Sequence, residues 1–157
     1  MYHQDDLRTH LIELLDGRSA HVDLKAAVEG FPLGSINKRI AGSPHTAWEL
    51  LEHIRIAQSD ILEYSRDPQH VSPEFPDGYW NKAEASPDDW QRSVEQIMRD
   101  SRAMRDLILN TDSDLLAPFP HGDGQTLLRE CLVLADHNAY HLGQLMLLRR
   151  MAEASGD

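Results

Sequence analysis

With 157 residues the chain is long enough for one domain, spanning 1–157, to bury a core without disulfide or metal staples. Lys plus Arg number 15 against 26 for Asp plus Glu, and the formal net charge of -11 repels a phosphate backbone and an anionic membrane alike, which excludes nucleic acid and membranes as expected partners. No apolar run reaches the ~18 residues of a membrane span, and the acidic start MYHQDDLRTH lacks a secretory pattern, so a soluble, cytoplasmic protein is expected.

Leu7, Leu11, Leu14 and Leu15 recur at helical spacing and predict a first helix from about Asp5 to Asp16, interrupted at Gly17. A short second piece, His21 to Glu29, continues it and stops before Gly30 and Pro32. The stretch from Phe31 to Gly42 holds two glycines and a proline without an apolar period and reads as a loop. Ser43 followed by Pro44 reads as a helix start, since the hydroxyl can accept from a free N–H and Pro suits the first helical position. The predicted helix carries Ala47, Leu50, Leu51, Ile54, Ala57, Gln58 and Ile61 on one side and ends near Arg66.

From Pro68 to Pro87 the composition turns to Pro, Gly and aromatics, too long for a simple connector and therefore a candidate functional loop; Tyr79 and Trp80 in it are expected mainly to fill the core. Ser86, Pro87 and Asp89 resemble a capping box, and Trp90, Val94, Ile97, Ser101, Met104 and Ile108 trace the buried stripe of a third helix finishing near Asn110. A last helix from about Gln125 to Ala152 is apolar on most of its circumference, which places it inside a bundle or against a second subunit. Cys131 among its leucines reads as a buried thiol with no catalytic role. No segment alternates in the manner of a strand. The expected fold is all-α: a four-helix bundle with an interrupted first helix and long connecting loops.

The chemistry sits in D-H-N-A-Y-H of the last helix, where His137 and His141 are four apart and share a face about 5 to 6 Å apart at Cβ. They interrupt an otherwise apolar stripe, and a buried imidazole needs a partner for each nitrogen. The zinc-protease pattern puts Glu directly after the first His of such a pair; Asn138 stands there, which disfavours that reading. His53, one turn from Leu50 and Ala57 at the margin of the second helix's apolar face, is the best third ligand. Three neutral imidazoles suit a divalent transition metal, zinc or nickel first and iron or manganese after them, and leave coordination positions open. Glu130, Asp136, Tyr140 and Gln144 are candidates to orient an imidazole. Glu49 and Glu52 read as a solvated charged face, and His45 and His121 as exposed.

The segments W-E-L-L-E-H-I and T-L-L-R-E-C-L-V-L-A-D-H-N-A-Y-H-L-G-Q-L resemble the DinB-like (damage-inducible) metalloproteins, a group related to thiol-dependent S-transferases and isomerases. The resemblance runs from Leu7 through Arg150. It implies that His53, His137 and His141 bind the metal, and it implies a bundle that frequently forms homodimers.

These readings converge on a metal-dependent S-transferase or hydrolase-like enzyme whose ion lowers the pKa of a low-molecular-weight thiol or of water. Two alternatives stay open: a non-catalytic metal-binding stress-response protein with a structural ion, and a metal-free core in which the histidines are simply hydrogen-bonded. No residue is singled out as catalytic, and the substrate is not readable.

Overall fold

The structure, a computed structural model, describes residues 2–17, 20–40 and 42–156, without the side chains of residues 2 and 3. Among them it is an all-α bundle with no strand. The helices are α1 (Tyr2–Leu15), α2 (Leu24–Val28), α3 (Ala47–Arg66), α4 (Pro87–Leu109) and α5 (Leu127–Ala154), with 3-10 turns at Leu33–Ser35 and Asp77–Tyr79. The interruption at Gly17 is real: its φ of 67° is a left-handed conformation that ends α1 cheaply only at glycine. No helix among the described residues is long and apolar enough to cross a membrane.

Helix bounds shift from the sequence expectation: α1 begins at Tyr2 rather than near Asp5, α2 is confined to Leu24–Val28 behind its Asp23 cap rather than running from His21, and the starts of α3 and α5 move as well. α3 begins after Thr46 rather than Ser43, because Thr46 and Glu49 form a complete capping box: the hydroxyl accepts from the Glu49 N–H, and the Glu49 carboxylate accepts from the Thr46 N–H at 2.9 Å. Ser43 alone offers only half of that reciprocity, and its hydroxyl closes a local turn onto the His45 carbonyl. α5 begins at Leu127 behind its Thr126 cap, two residues after the expected start near Gln125. The Ser86–Asp89 capping box on α4 forms as expected, with Pro87 at the first helical position.

The bundle holds two apolar clusters. One gathers Leu50, Leu51 and Ile54 of α3 with Trp90, Ile97, Leu145 and Leu148; the 31–42 loop enters it through Phe31 and Ile36, both buried although their segment lacks a helical period. The other gathers Leu11, Leu62, Met104, Ile108, Cys131 and Leu134. Cys131 is fully buried, and burial together with the nearby Glu130 pushes its thiol up to about 12, so it stays an inert SH group. The inner stripe of α4 includes Ser93 and Asp100, while Val94 is only partly covered and Ser101 is exposed; Ser93 faces Glu52 of α3, and Asp100 accepts from Gln96 of α4 itself. α5 is buried on one side only, leaving Leu132, Val133, Tyr140 and Leu147 exposed.

Candidate metal centre

α3 and α5 pack against each other with His53 on one and His137 and His141, one turn apart, on the other. One ring nitrogen from each of the three lies within 4.8 Å of the others, a group that could hold a metal ion. The Nε2 atoms of His53 and His137 face each other at 3.0 Å. Two nitrogens on a tetrahedral ion with bonds of 2.0–2.1 Å would stand about 3.3 Å apart, so the spacing already approximates a ligand pair.

The opposite nitrogen of each ring is held by an oxygen. His53 Nδ1 lies 2.9 Å from the Tyr79 carbonyl, which can only accept; Nδ1 therefore carries the proton, and Nε2 of the neutral ring is bare. His141 Nδ1 lies 2.7 Å from Gln144 Oε1. For His137 the tautomer is set at a distance. The Ile97 carbonyl accepts from Gln58 Nε2 (2.7 Å), which turns Gln58 Oε1 toward Asn138 Nδ2 (2.9 Å), which in turn presents Asn138 Oδ1 to His137 Nδ1 through a long 3.4 Å contact. Donors and acceptors alternate along this chain only if His137 Nδ1 bears hydrogen. His53 and His137 thus oppose two lone pairs at 3.0 Å, an arrangement that a cation between them would turn from repulsive to attractive.

Protonation is a poor alternative to a cation. Burial, followed by the neighbouring imidazoles, draws His141 down to about 4 against the hydrogen bond to Gln144. Burial also lowers His53, against its bond to the Tyr79 carbonyl, and lowers His137, against Asn138. At neutral pH all three rings are uncharged bases.

The long 68–87 loop is part of the site. Trp80 stacks on His53 (centroids 3.9 Å apart, planes 2° apart) and on His45 (4.0 Å, 12°), while also packing on the first apolar cluster. The Tyr79 hydroxyl donates to Asp60 at 2.6 Å, and the same carboxylate meets His70 at 2.7 Å, which fastens to α3 the loop that supplies the carbonyl to His53. Tyr79 and Trp80 therefore cover the histidines as well as fill space.

Other expectations are corrected. His45 is half-buried by its stack on Trp80, and His121 by its bond to the Tyr64 carbonyl (2.8 Å) and its stack on Phe119. Glu49 and Glu52 are not a solvated face but buried, at 8% and 4% exposure. Glu49 serves the cap and accepts from Arg39 at 3.1 Å; Glu52 accepts from Arg55 (2.6 Å), Asn81 (3.2 Å) and the Ser93 hydroxyl, tying α3 to the loop and to α4. Glu130 is engaged by Arg129 at 2.5 Å, Asp136 is exposed, and Tyr140 offers only a ring edge to His141. Of the four orienting candidates, Gln144 is the one that holds an imidazole. Gln58 and the Tyr79 carbonyl were missed; a glutamine five residues after His53 on an apolar stripe was the available signal for the first, and a backbone group leaves none.

Burial alone raises the Glu52 carboxyl, but the hydrogen bonds from Arg55, Ser93 and Asn81 outweigh it and hold the group below its ordinary 4.5. Its stabilisation is then complete above pH 4.5 and disappears as pH falls through the lower folded-state value. Arg55 keeps access to water, so Glu52→Ala should cost about 2 kcal/mol at pH 7 rather than the larger penalty of a sealed pair. Urea titrations of both proteins should show that gap closing in acid below pH 4.5; a gap independent of pH would remove the ion pair from the account.

Comparison with curated proteins and with solved structures finds no match. A family model does match: the DinB superfamily model covers residues 18–145, from the α1–α2 connection through the turn of α5 that carries His141, and the chain belongs to that superfamily.

Proposed function

We propose that His53, His137 and His141 hold one divalent transition metal through their Nε2 atoms, zinc or nickel ahead of iron or manganese, and that this centre is a metal-dependent S-transferase or hydrolase-like site working in the cytoplasm. The observation that carries the reading is the pair of bare Nε2 lone pairs facing each other at 3.0 Å, each ring fixed from behind by an oxygen. Such an ion would supply Lewis acidity, making the anion of a low-molecular-weight thiol or of water available at neutral pH.

The protein's own residues hold and orient. The Tyr79 carbonyl, Gln144 and the Gln58–Asn138 chain keep the three rings in one tautomer, and neutral ligands leave the full charge of the ion to act on a substrate. Among the described residues the metal-competent group has three members, which favours an open site over the four protein ligands of a structural ion. Protein purified without a histidine tag should carry, or take up, one equivalent of zinc or nickel, and the loaded form should consume small thiols in a screen against electrophiles. Sub-stoichiometric metal that zinc, nickel and manganese all fail to restore would overturn the metal; full metal with no turnover would favour the non-catalytic stress-response reading.

We also propose that the chain acts as one domain and as a homodimer. Val133 and Tyr140, exposed one heptad apart on α5, support a helix-to-helix contact with a second copy. Sedimentation at micromolar concentration should give twice the 17.8 kDa chain mass.

A further inference from the structure

A cavity of about 270 Å³ opens between α5 and the 42–45 segment that precedes α3. Leu50, Leu147, Leu148 and Met151 wall it, and among the described residues no Asp, Glu, Lys or Arg lines it, although the chain as a whole carries a net charge of -11. Its two nitrogen-bearing side chains are both tied to the three histidines. Gln144 holds His141 at 2.7 Å, and His45 stacks on the Trp80 ring that stacks on His53. The cavity therefore runs from a hydrocarbon wall to Gln144, which holds His141, and to His45, which shares the Trp80 stack with His53.

We infer that this cavity is the substrate pocket of the centre, and that it takes the uncharged hydrocarbon portion of a small molecule whose polar end lies at the three histidines. The inference rests on the metal reading above and adds the class of ligand to it. A charged chain would enter without a countercharge and leave its own charge desolvated, whereas each methylene laid against Leu147, Leu148 and Met151 gains from leaving water. At about 270 Å³ the space falls just below the ~300–1,000 Å³ of drug-sized sites, which sets the ligand's hydrocarbon part at a short chain.

The probe is a series of straight-chain alkanethiols, ethanethiol to octanethiol, titrated calorimetrically into zinc-loaded protein, with 3-mercaptopropionate as the charged counterpart. Affinity should climb by up to about fourfold for each added methylene, following roughly 0.8 kcal/mol per buried CH2, and then level off once the chain outgrows the pocket. 3-Mercaptopropionate should bind more weakly than propanethiol. Leu147→Gln, at a position 58% exposed and so tolerant of a polar group, should flatten the climb while zinc stoichiometry and helix content stay unchanged. Zinc-replete protein whose thiol affinity ignores chain length, or a Leu147→Gln variant with an unaltered slope, would overturn the pocket and leave the metal reading standing. Protein that takes up no zinc would overturn both.

Discussion

Replacing His137 by Ala is expected to abolish stoichiometric metal uptake while the helices stay folded. His137 supplies one of the two nitrogens that meet at 3.0 Å, and losing it leaves His53 and His141 as a two-nitrogen site. Disturbing a group that merely orients a ligand weakens metal affinity by about 10- to 100-fold, so deleting a ligand should exceed that. The fold should not follow, because both apolar clusters are dominated by leucines and isoleucines and neither includes the histidines. In metal-free protein the substitution even removes the opposition of two bare nitrogens, so its stability cost should stay under about 1 kcal/mol. The melting curve tests both halves. Metal at a hundred times its dissociation constant stabilises the native protein by about 2.7 kcal/mol, a rise on the order of 5 to 11 °C for a chain of this size, and His137→Ala should show none of it. Retention of stoichiometric metal at native affinity would remove His137 from the ligand set.

The outline of this centre was legible in the sequence because its parts are periodic. Helical geometry alone brings His137 and His141 together, one turn apart on an apolar face, whereas His53 stands at the edge of another helix and is joined to them by its apolar margin and the family resemblance. What escaped was whatever depends on pairing across the bundle. Glu49 and Glu52 look like surface charges on a helical wheel, yet Glu49 is consumed by a cap and Glu52 by partners on the loop and α4, the latter also explaining why Ser93 turns inward. The same Thr46–Glu49 reciprocity moved the start of α3 away from Ser43. His45 was read as exposed because nothing local marks it; Trp80, 35 residues on, is what covers it. Apolar period also overstated the burial of α5, since period cannot tell a core-facing leucine from the exposed Leu132 and Leu147.

Gln58 is the residue whose substitution should separate the stability of the bundle from the chemistry of its centre. At 1% exposure it bonds Ile97, Ser101 and Asn138, and through Asn138 it dictates which nitrogen of His137 is bare. Leu at this position is similar in size but holds nothing. The half-buried Asn138 amide would then be free to turn its NH2 toward His137 Nδ1, moving the proton to Nε2, where a metal should sit. Gln58→Leu is therefore expected to cost about 1 to 2 kcal/mol in stability and to weaken zinc affinity by about 10- to 100-fold. Gln58→Glu makes the opposite separation. A carboxylate still accepts from Asn138 Nδ2 and keeps that amide in place, but it offers no hydrogen to the Ile97 carbonyl and buries a charge, so stability should fall further while zinc affinity stays within a fewfold of the native value. Competition with a calibrated zinc chelator, read beside urea denaturation of the metal-free proteins, decides the matter: if affinity simply tracks stability across the two variants, the bond chain from Ile97 to His137 is scaffolding and does not set the tautomer.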